Sequence, residues 1–152
     1  MEAFEKLGTI YQSALKEVIS TTSSIDLQIK PQESDYGFGE IVGVMYLNGE
    51  KSGMLFVSAT ENDVRILCSH IIGVPISDIT SDELDDTMCE LVNMTAGSAK
   101  LRLSDTEFMF SLSQPFVIKG KDVSIVTKKI AQVVSGTLSN GNISVKIKVM
   151  YQ

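Results

Sequence analysis

Between residues 80 and 103 the run TSDELDDTMCELVNMTAGSAKLRL separates into two series at helical spacing. Asp86, Glu90, Asn93, Gly97 and Lys100 follow one another at intervals of four and three and make a polar or small stripe. Leu84, Met88, Leu91, Thr95 and Ala99, with Val92 and Leu103 beside them, make a mostly apolar one. Residues three and four apart share a face of a helix, so the spacing predicts one long amphipathic helix that buries one side and shows the other to solvent or a partner. Thr80 and Glu83 form a capping box at its start, where Asp82, Glu83, Asp85 and Asp86 are favoured by the helix dipole. Gly97 in mid-helix costs about 1 kcal/mol relative to Ala; it would let a partner's backbone come close.

The flanking pattern predicts the scaffold. Residues 2 to 22 repeat apolar positions from Phe4 to Ile19 at helical spacing, and the polar cluster 20 to 24 ends that helix. A short strand is expected around Ile25 to Ile29, before Pro31 interrupts regular structure. Gly39 to Leu47 and Gly53 to Ser58 read as a hairpin, with Asn48-Gly49 supplying the two positive-φ residues of its turn. Thr60 opens a helix with Asp63 three residues on, and Gly73 is placed to end it. Short β-like runs follow at Glu107 to Ser111, Phe116 to Ile118 and Val123 to Thr127. Ile130 to Leu138 and the final run ISVKIKVMY then flank the turn Ser139 to Asn142. Ile143, Val145, Ile147 and Val149 alternate with Ser144, Lys146 and Lys148, the period of a sheet with one buried face. Hairpins with helices grouped apart from them predict α+β: a largely antiparallel sheet with helices packed on one face.

Composition narrows the function. At 152 residues, with 43% hydrophobic and 21% charged residues, the chain is expected to be a single domain, 1–152, with a proper core. No apolar run approaches a membrane span and the start lacks a secretory pattern, so a cytoplasmic location without membrane contact is the expectation. A net charge of −6 with no basic stripe argues against nucleic acid. The cysteines, Cys68 and Cys89, fall on apolar or border positions of helices and read as plain thiols. His70, the single histidine, falls in a last helical turn, where its charge suits the dipole better than any catalytic constellation would. No phosphate loop, zinc motif or nucleophile elbow occurs, and no metal site is expected. Any chemistry must therefore use a carboxylate and an amide. An amide donates and accepts hydrogen bonds at once, which suits it to holding a water in line for attack, as a Gln does in GTPases.

ELVNMTAGSAK, with Asp86 four residues before Glu90 and Pro115 downstream, resembles the signature of the CheC/CheX/FliY phosphatases of bacterial chemotaxis. Members with two sites carry a second Glu-x-x-Asn in the first helix. Here Glu17 is followed three residues later by Ser20, which points to the single-site CheX branch. The resemblance implies dephosphorylation of the phospho-aspartate of a CheY-type response-regulator receiver. Asn93 would orient the attacking water and Glu90 would pair with the receiver's Lys. Asp86, Gly97 and Lys100 would help bind the partner. No cofactor of the chain's own is implied, because Mg²⁺ would sit on the receiver; a homodimer joined through sheet edges is implied as well. The alternative is a non-catalytic receiver-binding or scaffold module of a two-component or flagellar-switch system.

Overall fold

A computed structural model describes residues 2–30, 37–128 and 132–152, the side chains of residues 2–5 excepted. The described chain runs α1 (Glu2–Ser23), β1 (Gln28–Lys30), β2 (Ile41–Gly49), β3 (Gly53–Ala59), α2 (Glu61–Ile72), a 3-10 turn (Ile76–Asp78), α3 (Ser81–Arg102), β4 (Phe110–Ser111), β5 (Phe116–Lys119), β6 (Gln132–Ser139) and β7 (Ser144–Tyr151). All pairings among these strands are antiparallel, in the order β1-β6-β7-β3-β2, with β4 and β5 both on the far edge of β2. The fold is α+β, as expected. Pro31 and Ile130, to which the sequence reading assigned a break and a strand start, lie outside the described residues.

Alternation along the strands sends one set of side chains under the helices. Val145, Ile147, Val149 and Tyr151 of β7 join Ile41, Met45 and Leu47 of β2 and Leu55 and Val57 of β3 in the main core. α1 and α3 supply the other wall, with Leu7, Leu15 and Ile19 from the first and Leu84, Met88 and Leu91 from the second. Fully burying each such side chain stabilises by about 1.5–3 kcal/mol. α3 rests directly on β2: a Cβ added to Gly43 would stand 2.9 Å from the Met88 carbonyl oxygen, so only glycine allows this approach. Tyr11 of α1 and Tyr151 of β7 share a buried 3.2 Å hydrogen bond through their hydroxyls. No described helix is long and apolar enough to cross a membrane.

Three local expectations change. Asn48-Gly49 is not the hairpin turn: neither residue has positive φ, and both lie in β2, paired with Ser111 and Phe110. The chain reverses over residues 50–52 instead. A Cβ on Gly49 would collide with the Met109 carbonyl oxygen, so this glycine serves the close approach of β4. The run expected from Glu107 forms a strand only at Phe110–Ser111, because Thr106 turns the preceding chain by donating to the Leu103 carbonyl at 2.7 Å. Residues 123–127 form no strand. Ile125 packs with Phe38 against Val42, Val44 and Phe56 on the sheet face away from the helices, where strand pairing is unavailable. Phe38 stacks 5.0 Å from Phe56 and lies under the Lys148 ammonium, 4.5 Å away.

Candidate functional site

α3 is held at both ends. At its start the capping box is complete: the Glu83 amide donates to Thr80 Oγ1 at 3.1 Å and the Thr80 amide donates to Glu83 Oε1 at 2.9 Å. Lys119 of β5 donates to Asp85 Oδ2 at 3.0 Å and to Ser81 Oγ at 3.4 Å. At its end Arg102 pairs with Glu17 of α1. α2 buttresses the same helix, with the Cys68 thiol donating to the Glu83 carbonyl. His70 is exposed in the last turn of α2.

The five stripe residues lie on the face of α3 turned away from the sheet. Asp86 and Glu90 are exposed, while Asn93, Gly97 and Lys100 are half-buried. Leu84, Met88, Leu91, Thr95 and Ala99 are all buried, so the two series divide as the spacing predicts. The side chains of Asp86, Glu90, Asn93 and Lys100 form no hydrogen bond or ion pair with another described residue. They are therefore available to a partner. One turn separates Glu90 from Asn93, so both can reach one foreign site at once.

Gly97 is open: a Cβ built there has no neighbour within 4 Å. Gly97→Ala is therefore expected to raise stability by up to about 1 kcal/mol, since only the glycine's backbone freedom is removed. Thermal unfolding of the two proteins checks this, and a loss of stability would mean that position 97 packs against the protein itself.

The field near the stripe's start is negative. Burial, and after it the charges of Asp86 and Asp85, push the Cys89 thiol above its ordinary pKa, which keeps it protonated and poorly nucleophilic at neutral pH. Both cysteines are free thiols. Among the described residues no group of three or more His, Cys, Asp or Glu could hold a metal ion.

Two features of this surface were missed in the sequence. The Asp85–Lys119 pair joins residues far apart in the chain, where the sequence pattern accounts for Asp85 by the helix dipole alone. Leu101 is 80% exposed on the same face as Gly97. The spacing of four from Gly97 was the available signal.

The chain matches the family model of the chemotaxis phosphatase CheX over residues 41–138, from the start of β2 into β6 and including all of α3. No curated protein matches it by sequence. Among solved structures it resembles the chemotaxis protein CheX of Vibrio vulnificus, with a TM-score of 0.84 at 20% identity over 97% of this chain and 99% of that one. A CheC-like superfamily protein of Shewanella sp. PV-4 superposes with a TM-score of 0.82 at 22% identity, covering 96% and 97% of the two chains. The CheX–CheY–BeF3–Mg²⁺ complex of Borrelia burgdorferi matches with a TM-score of 0.76 at 15% identity, covering 95% of this chain and 96% of that one. At such identities the likeness establishes the fold, and the family model adds the lineage: the chain belongs to the CheX family of chemotaxis phosphatases.

Proposed function

We propose that this protein hydrolyses the phospho-aspartate of a CheY-type receiver, with the exposed face of α3 as its docking surface. The observation that carries this reading is the placement of Glu90 and Asn93 one turn apart, outward and without side-chain hydrogen bonds to other described residues, on a helix anchored at both ends. The Borrelia burgdorferi relative captured with CheY, BeF3 and Mg²⁺ supports the partner class.

The Asn93 carboxamide accepts a hydrogen bond from a water and donates another to it or to a phosphoryl oxygen, setting the water in line with the phosphorus. The water oxygen bonds to phosphorus as the bond to the aspartate oxygen breaks. The aspartate leaves as a carboxylate, and phosphate is released with the water's proton. Mg²⁺ and a Lys belong to the receiver and offset the phosphoryl charge; Glu90 pairs with that Lys and fixes the register of the two surfaces. Asp86 adds negative charge one turn earlier, Gly97 allows close backbone approach, and Lys100 reaches an acidic group beyond.

The test is turnover. Protein at a small fraction of the receiver concentration should empty the whole phosphorylated pool, whereas binding that merely tracks stoichiometry, with the phosphate's lifetime unchanged, would establish the scaffold alternative.

We further propose a homodimer through the edge formed by β4 and β5. Tyr46, Met109, Leu112 and Phe116 are exposed there, and Tyr46 stacks 5.9 Å from Phe116. The outer edge of β5 pairs with no described strand, which leaves it a template for a second copy. Light scattering at micromolar concentration should give twice the chain mass. A monomer mass would remove this proposal.

A further inference from the structure

We infer that Leu101, two turns along α3 from Met94, is an apolar anchor for the same receiver and sets part of the affinity that Glu90 and Asn93 depend on. The inference rests on the docking reading above. Glu90, Met94, Gly97 and Leu101 succeed one another at intervals of four, three and four, which places them on one face of α3. Met94 is half-buried and packed against the main core, so it forms a fixed floor. Leu101 is 80% exposed and projects one turn further along. Gly97 between them presents no side chain, and the space above it is open. The result is an apolar notch continuous with the polar stripe.

A single exposed leucine is ordinary on a protein surface. Two observations set this one apart. It lies in the last turn of a helix whose end is tied to α1 by the Arg102–Glu17 pair, so the backbone that carries it is in place before any partner arrives. The neighbouring polar groups also divide by sign along the helix, with Asp86 and Glu90 towards one end and Lys100 towards the other. A partner in register with both charges must lay its own surface across the notch between them. A receiver docked in this way places a nonpolar side chain in the notch over Gly97. Polar contacts orient such a complex, and a desolvated apolar anchor contributes affinity that salt does not screen.

The test compares Leu101→Ala and Leu101→Met with the parent protein, using a CheY-type receiver activated with beryllofluoride for binding and a phosphorylated one for turnover. Leu101→Ala should raise Kd and KM about tenfold at both low and high salt, as loss of one buried leucine contact predicts. It should leave kcat and the melting temperature unchanged, and Leu101→Met should restore affinity. Parental affinity in Leu101→Ala, alongside normal turnover by the parent protein, would overturn this inference and leave the phosphatase reading intact. So would a change in self-association mass without a change in receiver affinity, which would assign the notch to a second copy of this chain. A parent protein that neither binds nor turns over any receiver would remove both.

Discussion

Asn93→Ala is expected to lower kcat for a phosphorylated receiver about a hundredfold, the scale of losing one preorganised hydrogen-bonding group in a transition state. Affinity for the receiver should hardly change. A group that positions water acts while the bond to phosphorus is forming and contributes little to the resting complex, so its loss falls on kcat and kcat/KM together. The variant should also be as stable as the parent within about 0.5 kcal/mol, because the side chain is half-exposed and makes no hydrogen bond with another described residue. Rapid-quench turnover and titration with a beryllofluoride-activated receiver separate the two effects. A binding loss as large as the rate loss would make Asn93 a docking residue instead.

Glu90→Ala should fail in a different way. A carboxylate that meets a Lys inside a closed interface leaves that cation unpaired when it is removed, and such truncations cost about 2–5 kcal/mol in binding. Exposed in the free protein, Glu90 gives up water to make the contact, so the expected loss lies at the lower end, about thirtyfold in Kd. Turnover should fall as well, through misplacement of Asn93. The two variants also divide under salt. Parental affinity should weaken as ionic strength rises, while Glu90→Ala should show a flatter dependence because the screened pair is gone. A salt dependence equal to the parent's would mean that Glu90 faces no cation across the interface.

The parts legible in the sequence were those fixed by local pattern. The two faces of α3 and its capping box depend on spacing alone, and the structure reproduces them; the apolar positions of β7 are buried as their alternation predicts, but Lys148 on the opposite face is buried too, against Phe38. The turn at Asn140 was legible for the same reason: its side chain accepts from the amides of Asn142 and Ile143 at 2.9 Å, and Gly141 takes the positive φ. What was misread depends on partners distant in the chain. Asn48-Gly49 has strong turn chemistry, yet pairing with β4 keeps it extended. Residues 123–127 read as a short β-like run, but Ile125 finds its burial on a sheet face rather than at an edge. Asp85 gains Lys119 from β5 only once the sheet has formed. Leu101 was legible in principle, since its spacing of four from Gly97 puts it on the open face, where the structure leaves it 80% exposed.

The central claim, that Asn93 on the open face of α3 directs water onto a receiver's phospho-aspartate, is tested most directly by phosphate release. Parent protein and Asn93→Ala would be added in catalytic amount to the same phosphorylated receiver, at concentrations where both bind it equally. The account predicts many equivalents of phosphate released by the parent, and release near the receiver's own rate with the variant. Equal, accelerated release by the two proteins would contradict it.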